Sequence, residues 1–218
     1  MKDNEIHRAI KILKKDVEKW EIPAIGVVAE RTRDPFKILI SCILSLRTKN
    51  ATTAAASDRL FSLAENPADM LKLSVESIER VIFPVGFYRR KARDIKEISS
   101  TLIKDYHSRV PDEIDDLLKL KGVGRKTANL VVTIGYNKDG ICVDTHVHRI
   151  SNRWGYIHTR TPEKSEEALR EKLPKRYWKG YNDLLVTFGQ NLCKPVSPLC
   201  SQCNIAIYCD RRGVGKSR

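Results

Sequence analysis

Nowhere does this sequence contain an apolar run approaching the roughly 20 residues that cross a bilayer, and its first residues, Met1 to Lys15, hold no secretory apolar segment. A cytosolic or nuclear protein is therefore expected, cytoplasmic and with the nucleoid if the cell is prokaryotic. Gly/Ser tethers, low-complexity tracts and internal repeats are also missing, so any division into domains must come from packing. A Gly-x4-Gly-Lys-Ser/Thr loop after a strand is absent, which disfavours nucleotide binding. Strand-like runs are scarce: only Leu130 to Thr133 and Ile141 to Val143 qualify. The first of these continues from Lys126 without a break and reads as helix.

What the sequence has in excess is positive charge. Forty Lys and Arg against 27 Asp and Glu leave a formal net charge of +13 over 218 residues. Such a balance favours a polyanionic partner, nucleic acid ahead of an acidic membrane surface. The length suffices for one large domain or two modest ones.

Helical signals run through the chain. Ile6, Ile10, Leu13, Val17 and Trp20 recur at spacings of four and three, one buried face of a helix. Asp34-Pro35 is a cap followed by a first-turn proline, and it opens the apolar run Phe36 to Leu46, a buried central helix. Asn66-Pro67 and Thr161-Pro162-Glu163 repeat that start signal, and Ile95, Ile98 and Leu102 mark another amphipathic helix. The fold class is all-α. The basic tail from Arg211 to Arg218 is expected to fray.

Two clusters carry chemistry. The first is Leu117-Leu118-Lys119-Leu120-Lys121-Gly122-Val123-Gly124-Arg125-Lys126-Thr127-Ala128, in which a helix end, a Gly-x-Gly turn and a new helix start follow one another. This is a helix-hairpin-helix pattern. Glycines admit positive φ and carry no Cβ, so backbone can approach a phosphate at the positive end of the new helix. From Gly-x-Gly alone a plain turn is the ordinary reading; the basic chain and the following Arg125-Lys126-Thr127-Ala128 favour a grip on the DNA backbone.

The second cluster is Cys193, Cys200, Cys203 and Cys209, separated by six, two and five residues. In a reducing compartment such clustering reads as metal ligation. Four cysteines hold zinc or an iron-sulfur cluster. A lone C-x2-C, where zinc ribbons bring two, leans toward iron-sulfur and leaves zinc open. Cys42 and Cys142 lie in apolar sequence and read as small buried hydrophobes.

The hairpin with its continuation to Asn129, the run Val143-Asp144-Thr145-His146-Val147-His148-Arg149, and the C-x6-C-x2-C-x5-C cysteines occur in this order. Together they resemble endonuclease III, in the superfamily of helix-hairpin-helix DNA glycosylases, and the similarity covers nearly the whole chain. The resemblance implies a six-helix DNA-binding domain over 28–138, and an α-helical iron-sulfur domain formed by 1–27 with 139–218. It implies a cleft between them for an extruded nucleotide. The cysteines would bind a 4Fe-4S cluster that orders a basic loop without entering the hydrolytic chemistry.

The same resemblance makes Lys126 the nucleophile that forms a Schiff base, and Asp144 a helix cap that stabilises charge and moves protons. Lys121, Gly122, Val123, Gly124 and Arg125 would hold the DNA backbone. Taken alone, Lys126 reads as a phosphate contact and Asp144 as an N-cap. His146 and His148 stay outside the catalytic set, with a zinc or capping role as the alternatives. Where the family commonly has a glutamine that fills the hole left by the flipped nucleotide, and an aspartate three residues on, this chain has Arg47 and Asn50. Arg47 is expected to fill the gap.

The expected function is base-excision repair of double-stranded DNA by a monomer that removes oxidised pyrimidines and cleaves 3′ to the abasic site. A monofunctional mismatch glycosylase is the enzymatic alternative. A non-catalytic iron-sulfur DNA-binding protein or a ferredoxin-like electron carrier is the alternative of another class. DNA affinity should fall steeply across a salt series, because phosphate contacts release counterions; a flat dependence would remove the electrostatic reading.

Overall fold

The structure is a computed structural model in which residues 1–20 and 33–218 are described. Among these residues there are eleven α-helices and no strand. The chain divides into two compact units, Ala24–Gly140 and Met1–Pro23 with Ile141–Arg218. The domain boundary expected between residues 27 and 28 lies outside the described residues. None of the described helices is long and apolar enough to cross a membrane.

In the first unit the central element is α2 (Pro35–Ser45). Its apolar run leaves no polar face, and Phe36, Ile38, Leu39, Ile40, Cys42, Ile43 and Leu44 are all buried. The Asp34 carboxylate accepts from the N–H groups of Phe36 and Lys37, and Pro35 occupies the first turn. Around α2 lie α3 (Asn50–Phe61), α4 (Pro67–Lys72), α5 (Val75–Ile82), α6 (Tyr88–Tyr106), α7 (Ile114–Leu117) and α8 (Arg125–Leu130). Helices α3, α6 and α8 pack directly on α2. Leu130 to Thr133 is helical as expected, with α8 widening into a π-helical turn over Val131–Gly135.

The second unit contains α1 (Asp3–Val17), α9 (Thr145–Arg153), α10 (Pro162–Lys172) and α11 (Trp178–Asn191). α1 buries Ile6, Ala9, Ile10 and Leu13, and packs on α11. The helix stops at Val17, so Trp20 meets the same core from beyond its end. Ile141 to Val143 forms no strand. The C-terminal tail is not frayed: the Arg218 N–H donates to Pro198 O at 2.8 Å, and Arg218 O accepts from the Ser201 N–H at 2.9 Å. Unmet backbone groups on the cysteine loop explain why the tail returns to it.

Leu39 sits at the centre of the first core, fully buried. Leu39→Ala is expected to destabilise the protein by about 2–5 kcal/mol, measured by urea or thermal unfolding.

Candidate functional site

The hairpin is assembled from local bonds. Leu120 N–H donates to Leu117 O at 3.1 Å and Val123 N–H to Leu120 O at 3.2 Å. The Leu120 and Val123 side chains anchor the turn in the core, whereas Lys121, Gly122, Gly124, Arg125 and Lys126 are exposed. Gly122 has φ +71°, and a Cβ there would stand 3.4 Å from Asp94 Oδ2. Gly124 differs from expectation. It is the N-cap of α8 with φ −101° and ψ 174°, an extended conformation open to any residue. A Cβ on Gly124 would meet nothing within 4 Å. The fold therefore requires glycine at 122 and not at 124, and the bare surface at 124 faces outward.

Lys126 follows in the first turn of α8, within electrostatic reach of the buried Cys42 thiol on α2. Burial pushes that thiol up to about 12, with the Lys126 charge opposing the shift. Cys42 is thus a neutral apolar neighbour, as its sequence surroundings suggested.

Arg47 lies just past α2 with φ 52°, and its guanidinium carbon stands 5.7 Å from the centre of the Phe87 ring. Phe87 is the N-cap of α6 with φ 58° and is 62% exposed. Left-handed backbone at a non-glycine residue is uncommon, and for a bulky residue it is held only by its surroundings. The two residues border a cavity of about 380 Å³ lined also by Ile43, Leu46, Arg90, Lys91, Asp94 and Gly122. Sequence reasoning missed Phe87; an aromatic residue directly after Gly86 and ahead of the basic run Arg89-Arg90-Lys91 is the signal it overlooked. A larger cavity of about 470 Å³, lined by Asp34 to Phe36, Ser108 to Asp112 and Tyr136, holds none of the expected site residues.

In the other unit Asp144 is the N-cap of α9, its Oδ1 accepting from the N–H groups of His146 at 2.8 Å and Val147 at 3.0 Å. That pair of bonds fixes the carboxylate relative to the helix start. Farther along α9, Arg149 Nη2 donates to Cys193 O at 2.9 Å, and Arg153 donates to Lys194 O and Pro195 O, each at 2.7 Å. Arg153 Nη1 also stands 3.5 Å from Cys193 Sγ.

Cys193, Cys200, Cys203 and Cys209 converge on one mostly apolar pocket with Trp154, Phe188, Leu192 and Pro198. Burial, helped by the fields of the other three cysteines, pushes the Cys203 thiol up to about 11. Cys209 is raised for the same reasons. Four thiolates in each other's field are unfavourable unless a strong positive charge sits among them, so the donor set fits a cationic metal group. Among the described residues no three His, Cys, Asp or Glu side chains are placed to share one metal ion. His146 and His148 accordingly form no zinc site there.

A basic chain with a hairpin shaped for phosphate and an exposed amine in its second helix defines the class of helix-hairpin-helix DNA glycosylases. The HhH-GPD superfamily of base excision DNA repair proteins matches residues 40–175, and the chain belongs to that family, in its endonuclease III branch. It is 48% identical to the Endonuclease III of Thermotoga maritima over 85% of this chain and 88% of the relative. Identity to the Endonuclease III of Bacillus subtilis is 35% over 84% and 87%. It spans about half, 53%, of the chloroplastic Endonuclease III homolog 2 of Arabidopsis thaliana, at 39% identity over 87% of this chain. The fold matches a trapped endonuclease III–DNA covalent intermediate with an estranged adenine at TM-score 0.84 and 32% identity, covering 97% of both chains. A thermostable thymine-DNA glycosylase matches at TM-score 0.77 and 26% identity, covering 95% of this chain and 98% of the other. The chain is an enzyme of base-excision repair, a DNA glycosylase, in a family for which abasic-site lyase activity is typical.

The glycine pair yields a contrast. Gly122→Ala should lower thermal stability by about 1–2 kcal/mol through left-handed strain, while Gly124→Ala costs under about 1 kcal/mol. Both should weaken binding to undamaged duplex, measured by anisotropy; unchanged binding by Gly124→Ala would remove the close phosphate approach.

Proposed function

We propose that this glycosylase and lyase removes oxidised pyrimidines from double-stranded DNA and cleaves the strand through a Schiff base on Lys126. The observation that carries the reading is the exposed Lys126 in the first turn of α8, two residues after the uncapped Gly124. Backbone N–H groups at this turn, with Lys121 and Arg125, hold a phosphate, and the neighbouring amine is thereby brought to a fixed distance from the sugar.

A base in the stack shields its sugar carbon, so the nucleotide is turned out of the duplex. Arg47 and Phe87 enter the space it leaves, Phe87 by stacking and Arg47 by hydrogen bonding to the orphaned base. The Lys126 amine then attacks C1′; the glycosidic bond breaks and the base departs with its electron pair and gains a proton. Loss of the amine proton and opening of the sugar leave an iminium. Removal of a C2′ proton expels the 3′ phosphate by β-elimination, and water releases Lys126. Asp144, held by two backbone donors, stabilises the cationic charge on the sugar and carries protons between these steps.

Cys193, Cys200, Cys203 and Cys209 would hold a 4Fe-4S cluster, whose positive iron charge neutralises the thiolates and orders the loop carrying Lys194 and Arg211. Supporting the cluster over zinc is the spacing: zinc ribbons usually bring two C-x2-C knuckles, and this loop has one, Cys200 to Cys203. The enzyme is expected to act as a monomer in the cytoplasm, where it meets its DNA. A monofunctional mismatch glycosylase is the second reading, favoured only by the likeness to the thymine-DNA glycosylase; an amine-linked adduct excludes it.

Borohydride should trap a covalent adduct with both thymine-glycol duplex and abasic duplex. Lys126→Ala should abolish the adduct and the incision, and Asp144→Asn should slow incision on the order of a hundredfold. Incision retained by Lys126→Ala would overturn the mechanism.

A further inference from the structure

Lys91 is the one lysine among the buried residues of the described chain, with 5% of its surface exposed. Its side chain forms no salt bridge with any described residue. Instead its Nζ donates to Leu44 O at 2.8 Å, Leu46 O at 2.6 Å and Thr48 Oγ1 at 3.2 Å. The first two are carbonyls at the C-terminal end of α2, where helical donors have run out. Thr48 Oγ1 also accepts from the Gly86 N–H at 3.2 Å. Gly86 is pressed so closely on the preceding turn that a Cβ would stand 2.6 Å from Arg47 O. The Lys91 N–H in turn donates to Phe87 O at 3.0 Å. One residue thus ties together the segments carrying Arg47 and Phe87, both of which have left-handed backbone.

We infer that Lys91 is a positioning residue: its ammonium holds the turn after α2 and the start of α6 in the strained geometry that presents Arg47 and Phe87 to the gap in the duplex. This rests on the proposed gap-filling role of those two residues. Three acceptors match the three N–H donors of an ammonium, and a neutral amine has only two. Burial pushes Lys91 down to about 8, so the third donor is lost just above neutral pH. The charged groups lining the cavity with it are Arg47, from the turn after α2, and Arg90 and Asp94, on α6; the hairpin contributes the uncharged Gly122.

The sign of the stability effect separates this device from unfolding. A lysine depressed when folded binds its proton more weakly than in the unfolded chain. Between about 8 and the ordinary 10.5 this group makes the fold more stable as pH rises. A functional loss in that window is therefore not explained by Lys91-driven melting.

The test uses duplex with an uncleavable tetrahydrofuran abasic analogue opposite 2-aminopurine, whose fluorescence rises when it is unstacked, at saturating protein. Wild-type protein should give a rise whose amplitude declines as pH passes through about 8. Lys91→Met should give less than half that amplitude at neutral pH with no such decline, and Lys91→Arg should restore amplitude and keep it to higher pH. A folded Lys91→Met with wild-type amplitude, or a wild-type amplitude flat across the window, would overturn the inference. Should Arg47→Ala and Phe87→Ala each keep full amplitude, the gap-filling reading itself fails, a result distinguishable from failure at Lys91 alone.

Discussion

Short helices leave many backbone groups without partners, and satisfying them is the constraint on which this structure turns. Side chains cap the starts of α2, α4, α5, α9 and α10, from Asp34, Asn66, Ser74, Asp144 and Thr161. Cations serve some of the opposite ends: Lys96 donates to Leu71 O and Leu73 O, and Arg59 to Val81 O and Phe83 O. The starts without a side-chain cap include α3 at Lys49, α6 at Phe87 and α8 at Gly124. These three lie within two residues of a residue lining the cavity of Arg47, Phe87 and Gly122, while α7 at Glu113 and α11 at Tyr177 also lack a side-chain cap.

α9 applies the same constraint to the other unit. Its N-terminal donors fix Asp144, while Arg149 and Arg153 on its later turns hold the carbonyls of Cys193, Lys194 and Pro195. Orienting the carboxylate and shaping the first turn of the cysteine loop are tasks of one nine-residue helix. Its core-facing Val147 and Ile150 are fully buried, so neither end moves without disturbing that core.

What could be read from the sequence was what depends on neighbours in the chain. Asp34-Pro35, Asn66-Pro67 and Thr161-Pro162 announce helix starts because capping acts over three residues. The hairpin and the cysteine spacing were legible for the same reason. Gly124 was misjudged because glycine tolerates extended backbone as readily as left-handed backbone, and composition does not say which. The tail at Arg218 depends on bonds to Pro198 and Ser201, which local pattern does not carry. The backbone of Phe87 and the burial of Lys91 were not legible for a deeper reason. Left-handed φ at a phenylalanine is imposed by tertiary contact, and burial distinguishes Lys91 from the other described lysines only after the chain has folded.

Gripping DNA and choosing where to cut are assigned to different physics. A hairpin that meets phosphate through backbone reads no sequence and serves equally at every position. Lys126, fixed two residues beyond it, would attack any sugar that reached it, so selectivity must be exercised before the chemistry, at the moment a base leaves the stack. That moment is controlled by how cheaply the gap can be filled. Arg47 stands where the resemblance to endonuclease III implies a glutamine, and a guanidinium offers only donors where an amide offers both donor and acceptor. An orphaned base presenting acceptors toward Arg47 is favoured, and one presenting a donor is not. On the proposed gap-filling role of Arg47, the base opposite the lesion would become part of the recognised substrate.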